Sequence, residues 1–129
     1  MTGIAYKPDA NDLRLLIRAA IHEMAGAGHA VIVAHAASMA LGTTAGVLRV
    51  LVTASTDTRI RRVAAFERII EAEAERRIAA SDRARQDYFR RFYKLQEELP
   101  THYDLVVNTD VLTPAQAVDV VLAAAQAPP

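Results

Sequence analysis

The chain contains no cysteine and no tryptophan. Without cysteine it can build no disulfide framework, zinc ribbon or thiol nucleophile. Aromatic residues make up 5% of it, so its core has to come largely from Ala, Val, Leu and Ile. Glycine occurs only as Gly3, Gly26, Gly28, Gly42 and Gly46, and lysine only as Lys7 and Lys94. From these no Gly-x-x-x-x-Gly-Lys-[Ser/Thr] phosphate loop can be assembled. No apolar run approaches the roughly 20 residues of a membrane span, and MTGIAYKPDAND lacks a signal pattern, so the expected location is cytoplasmic, away from membranes. The 15 basic residues balance 15 acidic ones. That gives no overall attraction to nucleic acid, which is not an expected partner.

Several catalytic constellations are also missing. His22, His29, His35 and His102 are scattered, with no carboxylates at ligand spacing, so no metal site is expected. Ser38 and Ser55 stand outside any nucleophile-elbow motif, which argues against hydrolase chemistry. Glu67 to Glu75 reads as a solvated helix face.

What the chain does have is 52% hydrophobic and 23% charged residues over 129 positions, enough for a folded core. We read residues 1–129 as a single domain with an irregular lead-in over 1–10 and a frayed tail over 126–129. After Pro8 and Asp9, with Asn11 or Asp12 as cap, apolar residues recur at helical spacing from Leu13 to Ala25. Gly26-Ala27-Gly28 stops that helix. Val31–Val33 is expected as a first strand buried on both faces, 36–42 as a brief helical turn, and Val47–Thr53 as a second buried strand. Ser55, Thr56 and Asp57 supply caps for a helix carrying Ile60, Val63, Ala64 and Phe66 on its apolar side.

From there no glycine or proline interrupts the chain until Pro100. The spacing predicts helix throughout, with a kink near Ser81-Asp82. Glutamates lead and arginines follow, in the order the helix dipole favours. Tyr103–Val107 reads as the third strand. Thr113-Pro114-Ala115-Gln116 has the signature of a capping box with proline at the first helical position, opening a last helix. The alternation implies an α/β fold: three layers, an incomplete parallel sheet of about three strands with flanking helices.

The densest signal is Arg76 to Lys94, RRIAASDRARQDYFRRFYK. A neutral chain that gathers its cations in one helix either solvates that helix or holds an anion on it. In open α/β sheets, ligands sit beyond the carboxyl ends of the strands. Those ends carry His35, then Thr53, Ser55 and Asp57, then Asn108, Thr109 and Asp110. Arg59, Arg62 and the arginine helix follow the second strand and can close over the same edge. Guanidinium forks suit phosphate oxygens, so a phosphorylated small molecule is the implied ligand.

These residues resemble the cytidylate kinase-like family of the P-loop nucleoside monophosphate kinase superfamily. The resemblance runs from Gly28-His29-Ala30-Val31-Ile32-Val33 through Leu48 to Val52 and Arg59-Ile60-x-Arg62-Val63. It continues through Glu73-Ala74-Glu75-Arg76-Arg77-Ile78, Asp82-x-x-Arg85-x-x-Tyr88 and Arg90-Arg91-Phe92-Tyr93 to Tyr103–Asp110 and the helix from Pro114, covering most of residues 13–122. It implies phosphoryl transfer from ATP to a pyrimidine nucleoside monophosphate, on a P-loop kinase-like core lacking its first strand. Arg76, Arg83, Arg85 and Tyr88 would belong to a phosphate-binding lid, and Arg59, Arg62, Asn108 and Thr109 to the donor-nucleotide side. His35 would stand on the substrate side, where the family tends to carry arginine. At Glu67-Arg68-Ile69-Ile70 the family usually has a glycine-containing break, so a stiffer lid is expected.

With no lysine-bearing phosphate loop, the expectation is a truncated, catalytically inactive relative that keeps a nucleotide- or phosphate-binding edge. ATP and Mg²⁺ would be engaged only if a phosphate-loop segment complemented it. The apolar surface left uncovered favours a homo-oligomer. Two alternatives stay open: a structural or interaction protein dimerising through the 57–99 helical region, and one half of a split nucleotide kinase.

Overall fold

The computed structural model describes the backbone of residues 10–33 and 36–126, with side chains from Leu15 onward. The chain gathers into two compact units that divide between Thr43 and Thr44.

The first unit contains helix α1 (Ala10–Ala27) and the short helix α2 (Ala37–Leu41). Ile21, Ala36 and Ala40 are buried, whereas Leu15, Leu16, Ile17 and Met24 stay exposed. Asn11 and Asp12, expected as caps, lie inside α1. At its other end Gly28 takes a left-handed conformation (φ 75°) and its N–H donates to the carbonyl of Ala25 at 3.1 Å. This is the glycine stop expected from the sequence.

Val31–Val33 is not a strand, and Val31 and Val33 are each 95% exposed. Three β-branched residues favour extended backbone, but a strand exists only where a neighbour completes its ladder. The expected first strand is therefore absent among the described residues. The α/β class holds; the sheet within it has two strands.

The second unit carries that sheet. Strand β1 (Val50–Thr53) is followed by α3 (Thr56–Glu67), α4 (Glu71–Tyr93), a 3-10 turn at Pro100–His102, β2 (Leu105–Asn108) and α5 (Pro114–Gln126). β1 and β2 pair in parallel from Val50 opposite Leu105 to Thr53 opposite Asn108. Parallel strands need a long crossover, and α3 with α4 provides it. Both strands are shorter than their apolar runs. Nor is β1 buried as expected, since Val52 is exposed; in β2 Val107 is buried and Val106 exposed.

Each end of the sheet is tied by side chains. At the amino end the carboxylate of Asp104 accepts from the Arg49 backbone N–H at 2.8 Å, from its Nε at 3.1 Å and from its Nη2 at 2.8 Å. At the carboxyl end the Thr53 carbonyl accepts from the Thr109 N–H at 2.8 Å and from its hydroxyl at 3.0 Å. Asp110 Oδ1 accepts from the Ser55 N–H at 2.8 Å, linking the loops that follow the two strands.

α3 and α4 pack against one another, and Ala64, Ala74 and Ile78 are buried. Phe66, expected on the apolar side of α3, is 89% exposed. The helix does not run unbroken with a kink at Ser81-Asp82. It breaks at Arg68, which adopts φ 56° and ψ 48°, and α4 then continues straight through Ser81 and Asp82. The Arg68 and Ile69 N–H groups both return to the Ala64 carbonyl. The chain thus makes a helix stop without glycine, at a residue for which the left-handed conformation costs about 1 kcal/mol or more. α5 opens with the reciprocal box foreseen: the Thr113 N–H donates to Gln116 Oε1 at 2.9 Å, and the Gln116 N–H to Thr113 Oγ1 at 3.2 Å.

Candidate functional site

Beyond the carboxyl ends of β1 and β2 the second unit forms an open groove of about 510 Å³. Thr53 and Ala54 line it from the end of β1, Arg59 and Arg62 from α3, Asp82, Arg85 and Gln86 from α4, Glu98 from the loop after α4, and Thr109 from the end of β2. The parallel pairing puts Thr53 and Thr109 at the same edge, and only two residues separate the end of β1 from the start of α3. Its first turns therefore carry Arg59 and Arg62 over that edge.

The three arginines are held differently. Arg59 meets Asp82 end-on, Nη1 on Oδ2 at 2.9 Å and Nη2 on Oδ1 at 2.6 Å. Arg85 meets Glu98 side-on through Nε and Nη2. Arg62 donates from Nη1 to the Thr109 hydroxyl at 2.8 Å and from Nη2 to the Thr109 carbonyl. Three guanidiniums and two carboxylates leave this lining with one net positive charge, and Arg62 is the cation whose partners are uncharged.

The ion pairs set the protonation of the acids. Hydrogen bonds from Arg59 hold the Asp82 carboxyl below its ordinary range. Partial burial pushes the Glu98 carboxyl up, but hydrogen bonds from Arg85 and Tyr103 outweigh it and the net shift is downward. Both acids are therefore ionised near neutral pH. The groove can accept an anion through the guanidinium donors its carboxylates leave unspent, while those carboxylates keep the arginines in place.

Of the residues singled out from the sequence, Arg59, Arg62, Arg85 and Thr109 come together here. Arg76 is exposed and pairs with Glu73 one turn away on its own helix. Arg83 is exposed. Tyr88 packs edge-to-face on Phe92, centroids 4.8 Å apart, and tilts against Tyr93 at 6.4 Å. Asn108 uses its side-chain carbonyl to accept the Asp110 N–H at 2.9 Å. These four do not line the groove. His35 lies outside the described residues.

A second, smaller cleft of about 410 Å³ between α3 and α4 shares Arg59 and Arg62 and adds Glu67, Arg77 and Ser81. There Arg77 bridges Glu67 and Glu73 across the helix break.

Glu98 and Gln86 were not evident in the sequence as groove residues. Glu98 is 13 positions from Arg85, a separation at which no single helix brings two side chains together. It returns because Lys94 takes the left-handed conformation (φ 53°) that ends α4 and reverses the chain. Positive-φ lysine has no sequence signature. Asp82 was visible within Asp82-x-x-Arg85-x-x-Tyr88, though not its partner on α3.

Parallel strands whose carboxyl ends open onto a groove rimmed by guanidinium groups define an α/β protein with its cleft at the edge where such sheets take ligands. Sequence comparison adds the family. Residues 3–111 match the cytidylate kinase-like family, and the chain belongs to it. Over 75 residues it is 32% identical to a protein of Sulfolobus acidocaldarius described as a cytidylate kinase. That stretch is 58% of this chain and 41% of the relative, so the chain spans well under half of that relative's length. Among the described residues no helix is long and apolar enough to cross a membrane.

Proposed function

We propose that the groove binds the phosphate of a pyrimidine nucleoside monophosphate, and that these 129 residues act as a cytidylate kinase-like nucleotide-binding module without phosphoryl transfer of their own. The observation that carries this reading is the convergence of Arg59, Arg62 and Arg85 with Thr53 and Thr109 at the carboxyl edge of a parallel sheet, in a chain of this family.

Arg62 supplies the uncompensated charge, and Arg59 and Arg85 supply directed donors. Phosphoryl transfer asks for more: a cradle of backbone N–H groups, with a lysine and a hydroxyl to engage ATP and Mg²⁺. The sequence contains no Gly-Lys-Ser/Thr to provide them. Missing electrostatic stabilisation of that kind raises a barrier by several (roughly 3–4) kcal/mol for a single lost donor.

Calorimetric titration with CMP, dCMP and ATP, each with and without Mg²⁺, tests the reading. Binding of CMP or dCMP that does not require Mg²⁺, with no ADP formed when CMP and ATP are mixed, is expected. No heat from any nucleotide would overturn it. ADP formed only after adding a second polypeptide that bears a phosphate loop would identify the chain as half of a split kinase.

A homo-oligomeric interaction protein is a second reading with its own observation. No residue of α5 is buried, and Val118, Val120 and Leu122 are exposed, as are Val52 and Val106 of the sheet. A monomer by light scattering removes it.

A further inference from the structure

Two polar residues beside the groove are not among the donors assigned to the phosphate: Glu98, which lines it, and Tyr103, which is buried. Arg85 donates Nε to Glu98 Oε1 and Nη2 to Glu98 Oε2, the latter at 3.1 Å. The Tyr103 hydroxyl donates to the same Oε2 and lies 3.4 Å from Nη2. The carboxylate is thus fixed from both sides and grips one edge of the guanidinium. The group's flat face is fixed too, because the ring of buried Phe89 lies 5.1 Å from the guanidinium carbon.

What this leaves over is specific. Arg59 spends both terminal nitrogens on Asp82, and Arg62 spends both on Thr109. Arg85 spends Nε and Nη2, while Nη1 donates to no described residue. Among the three guanidiniums of the groove, Arg85 alone keeps a whole terminal amino group uncommitted. A planar, always-charged donor held along one edge and one face has little rotational freedom left to lose on binding.

We propose that Glu98 and Tyr103 are positioning residues: together they set Arg85 side-on, so that Nη1 is the donor presented to the nucleotide's phosphate. This rests on the phosphate-groove reading. Glu98 acts through Arg85, and Tyr103 acts through Glu98 by fixing the rotamer of its carboxylate. Neither touches the ligand. The arrangement gives a single directed contact from Arg85 to one phosphate oxygen, where a free arginine would offer a fork.

The test compares CMP titrations of the parent, Arg85→Ala, Glu98→Gln, Tyr103→Phe and the Arg85→Ala/Glu98→Gln pair. It is read together with the ¹⁵N-resolved Nε–Hε signal of Arg85 in the ligand-free proteins. Glu98→Gln is expected to weaken CMP about tenfold, the size of one charge-assisted hydrogen bond. The double variant should bind no worse than Arg85→Ala. The Nε–Hε proton, slow to exchange in the parent, should exchange rapidly in Glu98→Gln. Tyr103→Phe keeps the buried ring and should give a smaller loss in the same direction.

Parent-like CMP binding by Glu98→Gln, with binding lost in Arg85→Ala, would overturn the positioning role and leave the groove reading standing. Tighter binding by Glu98→Gln would also overturn it, making the carboxylate a competitor of the phosphate. A parent that binds no CMP would overturn the groove reading and this proposal together.

Discussion

Arg59 and Asp82, 23 residues apart in the chain, face each other across α3 and α4 with two hydrogen bonds of 2.9 and 2.6 Å. Both side chains remain more than a third exposed, so the pair adds at most about 1 kcal/mol to stability. Its larger consequence is electrostatic. Arg59→Ala would leave an unbalanced carboxylate in a groove proposed to hold phosphate. CMP affinity should then fall by about tenfold or more, and adding Asp82→Asn should restore much of the loss. Titration of the two variants checks this. A double variant no better than the single would show that the Asp82 charge is not what repels the ligand.

The acids of the second unit define a pH dependence of stability. Asp104 lies below its ordinary range because of hydrogen bonds from the Arg49 side chain and backbone. Asp82 lies low because of Arg59. A carboxyl whose pKa is depressed in the fold stabilises it at pH values above the unfolded pKa, and that contribution is lost as pH falls through the folded one. Unfolding free energy should therefore be level above about pH 5 and decline below about pH 4, where unfolded carboxyls begin to take up protons. Urea titrations across that range measure the decline. Asp104→Asn should lower stability near neutrality and flatten the acid limb; an unchanged limb would show that the Arg49 clamp does not contribute.

Arg68 stops α3 at φ 56°, a conformation glycine adopts without the Cβ clash. Arg68→Gly should stabilise the chain by up to about 1 kcal/mol, part of the gain being offset by the freer unfolded chain. Arg68→Ala keeps the clash and should bring no such gain. Thermal unfolding of the two variants separates backbone strain from loss of the arginine side chain.

At the start of α5 the Thr113 hydroxyl accepts the Gln116 N–H while Gln116 returns the bond. Thr113→Ala should cost about 1 kcal/mol, and Gln116→Ala less, since it leaves the threonine cap in place. Chemical denaturation of both variants tests the order. Equal losses would indicate that the two bonds act as one unit.

The elements read correctly from the sequence are those whose signals are local. The helical character of α3, α4 and α5, though not the break between the first two, follows the 3.6-residue spacing of their apolar residues, and the Thr113–Gln116 box is written in four consecutive residues. β1 and β2 lie within apolar runs bounded by polar caps. The carboxyl-edge rule then brought Arg59, Arg62 and Thr109 to one place with no knowledge of their contacts.

Three features were settled by the folded chain instead. Val31–Val33 has the composition of a strand without being one, because a strand is a property of two segments and composition belongs to one. Arg68 and Lys94 turn through left-handed conformations that no local preference of arginine or lysine favours. Arg85 meets Glu98 and Tyr103 only because the chain doubles back after Lys94. Hydrophobic period and capping chemistry act over a few residues and can be read along the chain. Which carboxylate a guanidinium finds is decided by distance in space, and that distance exists only once the chain has folded.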